Sequence, residues 1–197
     1  MTICYRANPR SRRSNTTLPY EEASKFVQTL RALDGVAARA FELLILMATR
    51  TSETIGACKA EVDLDAKVWT IPAERMKVPK EHRIPLCPQA IKLLRPLIED
   101  ASNDSDYLFP GNKTGTHLSN MALLQILRRL ERPDLTAHGF RSTFRDWARE
   151  TTDHPREVAE AALAHTIRDK TEAAYARGDL FEKRRVMMEH WGRYLSA

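Results

Sequence analysis

Apolar residues recur at helical spacing along most of the chain, and this periodicity predicts a largely α-helical domain. A first helix opens at Tyr20-Glu21-Glu22, and Asp34 and Gly35 end it. The helix predicted over residues 36–48 is so strongly apolar that we expect it at the centre of the core. The same spacing predicts helices over 88–98, 118–130, 155–163 and 179–194, and one that begins near Thr136 and buries Phe140, Phe144, Trp147 and Ala148.

Between residues 62 and 86 the pattern changes from helical to extended. Three short segments, 62–64, 68–72 and 82–86, are predicted to form antiparallel strands, joined by a turn at 65–67 and a cationic connection over 73–81. The fold class predicted is therefore α+β, mainly α-helical with a small three-stranded antiparallel sheet.

The first 19 residues differ from the rest, since they are polar and carry four arginines. Such sequence does not fold alone, so we expect residues 1–19 to be a basic, extended lead-in and residues 20–197 to form one domain. The 197 residues, 43% of them apolar, are enough for one good core or at most two small ones.

Charge and cysteine content limit the kind of partner and the cellular compartment that we expect. The net charge of +5 suits a polyanionic partner. Cys4, Cys58 and Cys87 are odd in number and far apart, so neither a disulfide framework nor a zinc knuckle is predicted. The chain has no apolar run long enough for a membrane span and no apolar signal core at its N-terminus. We therefore expect a cytoplasmic protein without membrane association.

Two polar groups stand out against this background. His138 and Arg141 lie three residues apart near the start of a helix that Thr136 is predicted to cap, a position that favours an anion. Arg50 and Glu53 follow the buried helix directly, and Ser52 is predicted to cap a short helix there. Each pair alone is typical of a solvated face.

The combination is more specific than its parts. His138-x-x-Arg141, Leu163-Ala164-His165, Tyr175 ten residues later and the earlier Arg50-x-x-Glu53 together resemble the tyrosine recombinase (phage integrase) family. The run from Ala174-Tyr175-Ala176-Arg177 to Met188 resembles the P4-type prophage integrases in particular. The resemblance covers about residues 20 to 195 and implies the catalytic-domain fold of DNA breaking and rejoining enzymes.

The resemblance implies a role for each matching residue. Arg50 and Arg141 would clamp the scissile phosphate with His165, Tyr175 would be the nucleophile, and Glu53 would support Arg50. His138 is the expected general base. The connection over 73–81 would hold the catalytic lysine, with Lys77 as the match and Lys80 as its competitor. We expect further DNA contacts from Arg75, Lys80, Arg145 and Arg177.

Site-specific recombination through a 3′-phosphotyrosyl intermediate is the implied activity, with no cofactor and no metal. The implied partner is double-stranded DNA at attachment sites, bound by a protein that is a monomer in solution and a tetramer on DNA. We expect Arg184 and Arg185 to face solvent or DNA, and the segment beyond Asp179 to pack on its own domain or loosely. Complete integrases of this type carry upstream DNA-binding domains, so the chain is expected to be a truncated gene product or an excised domain.

Three alternatives stay open on the sequence alone. A type IB topoisomerase uses similar chemistry, although the C-terminal run favours an integrase. A catalytically silent, DNA-binding remnant of a prophage integrase would keep the fold without turnover. A metal phosphodiesterase using His138, His154 and His165 is the least favoured, because no carboxylates cluster near these histidines in the sequence.

Overall fold

The computed structural model describes residues 17–100, 104–165 and 178–197, which form α-helices and one small sheet. The α-helices are α1 (Ala23–Arg31), α2 (Val36–Met47), α3 (Thr51–Ile55), α4 (Pro88–Glu99), α5 (Asn120–Arg129), α6 (Gly139–Thr151), α7 (Arg156–Ala162) and α8 (Phe181–Tyr194). The strands are β1 (Val62–Asp63), β2 (Val68–Ile71) and β3 (His82–Pro85). Within these described ranges, no helix is long and apolar enough to cross a membrane.

Helix α2 forms the centre of the core, as its composition predicts. Every residue from Ala40 to Met47 is buried, and α1, α4, α5, α6 and α8 all pack against the helix. Ala48 ends it in the left-handed conformation, with φ of 51°. This abrupt end turns the chain directly into the segment that carries Arg50.

The three strands pair in sequence order and are antiparallel throughout. Trp69 of β2 stands opposite Val62 of β1 on one side and Ile84 of β3 on the other. Both the strand positions and the fold class are thus confirmed: a mainly helical domain with one small antiparallel sheet.

The packed domain begins upstream of the predicted boundary at residue 20. Leu18, which falls within the predicted lead-in, is buried, and its carbonyl accepts a hydrogen bond from the Thr143 hydroxyl of α6. At least residues 18 and 19 therefore belong with the domain. The lead-in residues 1–16 lie outside the described part of the chain.

Helix α8 is an integral part of the core. Met187, Met188, Trp191 and Leu195 are buried, and the Trp191 indole donates to the Ile45 carbonyl of α2 over 2.9 Å. The expectation that Arg184 faces solvent or DNA is wrong, because its side chain is 1% exposed. Its guanidinium donates to the Asp179 and Arg83 carbonyls, so it fastens α8 to β3.

Candidate active site

Arg50 stands at the N-terminus of the five-residue helix α3, held by Glu53 at two points. The Glu53 carboxylate accepts hydrogen bonds from the main-chain N–H of Arg50, over 2.8 Å, and from its guanidinium. Glu53 is buried, so this pairing fixes both the main chain and the side chain of Arg50. Ser52 lies inside the helix and does not cap it, because Arg50 occupies the cap position.

A second arginine supports this arrangement from the sheet side. The Arg75 guanidinium pairs with the Glu61 carboxylate and donates to the Glu53 carbonyl over 2.6 Å. Glu61 in turn accepts from the indole of Trp69 in β2. Arg75 is thus bound to partners within the domain, and the DNA contact expected of it stays a prediction.

Arg141 projects from the first turn of α6 into the interior and is 4% exposed. Its guanidinium donates to the carbonyls of Ala48 and Leu163, and Nη2 lies 3.2 Å from Nε2 of His165. Burial, reinforced by the nearby charge of Arg50, lowers the pKa of Arg141 to about 10. The buried Nε atom has no hydrogen-bond partner among the described residues.

Both carbonyls that bind Arg141 belong to turns built on left-handed alanines. Ala48 has φ of 51° and Ala164, directly after Leu163, has φ of 48°. A left-handed conformation is uncommon for alanine, because its Cβ crowds the following carbonyl. The Ala164 carbonyl also accepts from Nη2 of Arg50 over 3.2 Å. The two turns therefore bring Arg50, Arg141 and His165 to one place.

His165 connects this cluster to helix α7. Its Nδ1 lies 2.6 Å from Oε2 of Glu160, while Nε2 faces Arg141. Sequence reasoning missed Glu160. A carboxylate five residues before a histidine at a helix end was the available signal.

His138 occupies the N-cap position of α6 at the exposed edge of the same cluster, and its side chain makes no capping hydrogen bond. Desolvation lowers its pKa first, and the charges of Arg141, Arg50, His165 and Lys77 lower it further. A histidine with a depressed pKa stays neutral near pH 7 and is able to accept a proton.

The structure thus brings together Arg50, Glu53, Arg141 and His165, with His138 at the start of the helix that carries Arg141. Lys77 is exposed on the connection between β2 and β3, and its place in the cluster stays a prediction. Lys80 is exposed on the same connection. Arg145 lines an open cleft of about 410 Å³ beside α6 and α7. Tyr175 and Arg177 lie outside the described residues. Among the residues described, no group of three or more His, Cys, Asp or Glu side chains is arranged to hold a metal ion.

Comparison with known families resolves what this arrangement belongs to. The phage integrase family model matches residues 16–180. The chain belongs to the phage integrase family. The predicted resemblance is thereby confirmed over most of the domain.

Prophage integrases are among its sequence relatives. The integrase of Enterobacteria phage P4 is 32% identical over 197 residues, covering 90% of this chain and 45% of the relative. The prophage integrase IntA of Escherichia coli (strain K12) is 33% identical over 155 residues, covering 78% of this chain and 37% of the relative. The chain therefore spans less than half the length of either relative.

Solved structures of low sequence identity share the fold. The integrase from mycobacterium phage Brujita superposes with a TM-score of 0.67 at 18% identity, covering 96% of this chain and 64% of that one. A lambda integrase dimer bound to a COC′ core site gives a TM-score of 0.57 at 19% identity, covering 88% of this chain and 62% of that one. These similarities establish the tyrosine recombinase catalytic fold.

Proposed function

We propose that this chain is the catalytic domain of a site-specific DNA recombinase that cuts and rejoins DNA through a 3′-phosphotyrosyl intermediate. One observation carries the proposal: Arg141 is buried beside a second arginine and a histidine, with no carboxylate paired to it among the described residues. Such a cluster is complementary to a dianionic phosphorane-like transition state.

Each group has a defined task in strand cleavage. The Tyr175 oxygen attacks phosphorus while its proton passes to His138. The bond from phosphorus to the 5′ oxygen breaks, and Lys77 protonates that oxygen, leaving a free 5′-hydroxyl. Arg50 and Arg141 hold the non-bridging oxygens with bidentate geometry that lysine does not reproduce. Reversal of these steps rejoins the strand, and none of them requires a metal ion or a nucleotide.

DNA is expected to approach over the exposed cationic rim. Arg145, Arg149 and Arg156 line the cleft beside α6 and α7, and Lys80 lies on the connection between β2 and β3. Contacts of this kind neutralise phosphates and give salt-dependent binding. Arg75 and Arg177 are further proposed contacts. We propose that the protein is a monomer in solution and a tetramer on DNA.

Covalent trapping tests the proposal directly. The protein is incubated, in EDTA, with a pool of randomised duplexes that carry a bridging phosphorothiolate, and adducts are separated on a denaturing gel. Wild-type protein should form adducts and Tyr175→Phe should form none, with DNA affinity nearly unchanged because only a hydroxyl is lost.

Tyr194→Phe is the matched control. The Tyr194 hydroxyl donates to the Tyr20 carbonyl and its ring stacks on Trp191, so this change should leave adduct formation intact. Adducts that persist in Tyr175→Phe, or that map to Tyr194 by mass spectrometry, would overturn the nucleophile assignment. DNA binding without adducts in the wild type would favour a silent remnant.

The leaving-group test separates Lys77 from Lys80. A 5′-bridging sulfur leaves without protonation, so it should largely rescue cleavage by Lys77→Ala, which is expected to be slow on ordinary DNA. Lys80→Ala loses a phosphate contact only, so it should cleave ordinary DNA at the normal rate when the DNA is saturating. If the sulfur substrate instead rescued Lys80→Ala, and Lys77→Ala cleaved ordinary DNA at the wild-type rate, Lys80 would be the general acid.

A further inference from the structure

Helix α7 ends in a turn that folds His165 back onto Glu160. The His165 N–H donates to the Glu160 carbonyl over 3.0 Å, and the Ala164 N–H donates to the Ala161 carbonyl over 3.1 Å. With Ala164 left-handed, these two bonds form a Schellman motif. The turn therefore fixes the main chain of His165 directly above the last turn of α7.

The side chains of Glu160 and His165 are also hydrogen-bonded to each other. Oε2 of Glu160 lies 2.6 Å from Nδ1 of His165, and the two side chains are 21% and 37% exposed. The other ring nitrogen, Nε2, lies 3.2 Å from Nη2 of Arg141. The imidazole is thus held between an acceptor on one side and a donor on the other.

We propose that Glu160 is a positioning residue that fixes the orientation and the tautomer of His165. A carboxylate only accepts hydrogen bonds, so Nδ1 must carry the proton that faces Glu160. In the neutral ring Nε2 then accepts from Arg141. In the imidazolium both nitrogens carry protons, and Nε2–H is directed toward the place where a phosphate oxygen would lie beside Arg141.

The consequence for cleavage rests on the proposed function. Without Glu160 the ring is free to rotate and to adopt the Nε2–H tautomer, which free imidazole favours, so Nε2 is no longer held toward the place of the phosphate oxygen. The Glu160→Ala variant should therefore form covalent adducts about 10- to 100-fold more slowly, the loss that removal of an outer-shell partner of a functional histidine causes in metal sites. DNA affinity should not change.

Nuclear magnetic resonance tests the positioning without any DNA. Long-range ¹H–¹⁵N correlations on ¹⁵N-histidine-labelled protein, recorded at a pH where the histidine rings are neutral, distinguish Nδ1–H from Nε2–H tautomers. His165→Gln identifies the signal. The wild type should show Nδ1–H, and Glu160→Ala should show mainly Nε2–H. A wild-type Nε2–H tautomer, or an unchanged pattern in Glu160→Ala, would overturn the proposal.

Matched variants test whether the effects come from the carboxylate at position 160 in particular. Glu157→Ala removes an exposed carboxylate from the same helix and should change neither the tautomer nor the adduct rate. Glu160→Gln keeps an oxygen acceptor in an isosteric side chain, so it should recover part of both. If wild-type protein forms no adducts but its tautomer depends on Glu160, the positioning stands and the proposed function fails. A changed tautomer with an unchanged adduct rate would overturn the catalytic consequence.

Discussion

Two buried arginines, Arg141 and Arg184, are alike in burial and in their main-chain partners. Arg141 is 4% exposed and donates to the carbonyls of Ala48 and Leu163. Arg184 is 1% exposed and donates to the carbonyls of Asp179 and Arg83. Their surroundings differ in charge, and that difference separates a site from a structural joint.

Arg184 has a counter-ion. Its Nη2 lies 3.1 Å from the Asp179 carboxylate, which opposes the lowering of its pKa by burial. The guanidiniums of Arg184, Arg83 and Arg185 also surround the Phe181 ring at 5.6, 4.4 and 4.9 Å from its centroid. This charge is compensated within the fold, so the residue serves to hold α8 in place.

Arg141 has cations for neighbours. Arg50 and His165 lie beside it, and the carboxylates of Glu53 and Glu160 act on it only from behind those two residues. Burying a charge without a partner costs folding free energy, so the arrangement is understandable if an anion completes it. The comparison teaches that the missing counter-ion, rather than burial, distinguishes the arginine that we propose to bind the phosphate.

The largest expected effect is on the rate of adduct formation. Arg141→Lys keeps the charge but loses the planar fork, so adducts should form about 100- to 1000-fold more slowly at saturating DNA. Arg184→Lys should cleave at the wild-type rate per folded molecule. Equal losses in the two variants would break the comparison, and a matching loss of DNA affinity in Arg141→Lys would make that residue a phosphate anchor only.

In stability we expect the opposite order and a smaller effect: loss of Arg184 should destabilise the fold more than loss of Arg141. Arg184→Met leaves Asp179 without its partner and removes two carbonyl contacts, so the free energy of unfolding should fall by about 2–3 kcal/mol. Arg141→Met also loses two carbonyl contacts but removes an unpaired buried charge, so unfolding should change by less than about 1 kcal/mol. Urea denaturation without DNA measures both.

Arg185→Met supplies the reference for this contrast. Arg185 is only partly buried and bonds to the exposed Glu182, so its loss should cost at most about 0.5 kcal/mol. If Arg184→Met were no worse than Arg185→Met, the joint between α8 and β3 would contribute little. If Arg141→Met were the least stable of the three, its charge would be compensated after all.

The sequence predicted the elements well, because their apolar periodicity and their burial have the same cause. The bounds of β2, α2 and α4 differ from prediction by a residue or two at most. The convergence of Arg50, Arg141 and His165 followed from family resemblance, since those residues come from separate elements and no local pattern links them.

Prediction from the sequence failed for Arg184, whose hydrogen-bond partners are main-chain carbonyls. Arg184 and Arg185 are adjacent and identical in type, yet only Arg184 falls on the stripe of α8 that also contains Phe181, Met188 and Trp191. That spacing was the available signal for its burial. The left-handed turn at Ala164 had no signal, because glycine is the residue that usually marks such a turn. Glu160 was missed because its spacing of five residues from His165 brings the two side chains together only through that turn.

The pKa of His82 in β3 depends on charges at both arginine sites, and the resulting pH effect on stability should be smaller than the effect of Arg184→Met. Burial lowers its pKa most, followed by the charge of Arg184, and the pKa falls from 6.5 to about 4 although Glu53 opposes the shift. The charge of Arg50 also lowers it. A neutral ring at this point of β3 keeps a further positive charge away from both guanidiniums.

The sign of the pH effect follows from that shift. The unfolded chain binds a proton at His82 near pH 6.5 and the folded chain only near pH 4, so this contribution to stability is complete above the first value and is lost as pH falls toward the second. At about pH 5.5 the loss should be about 1 kcal/mol. Urea denaturation of wild type and His82→Gln between neutral and acidic pH measures this loss. The free energy of unfolding is plotted against pH for each protein, and the difference between the two slopes cancels the titration of His154 and the other histidines. If the free energies of unfolding of the two proteins fell equally with pH, His82 would accept its proton in the folded protein without cost. The charges at the two arginine sites would then have little effect on His82.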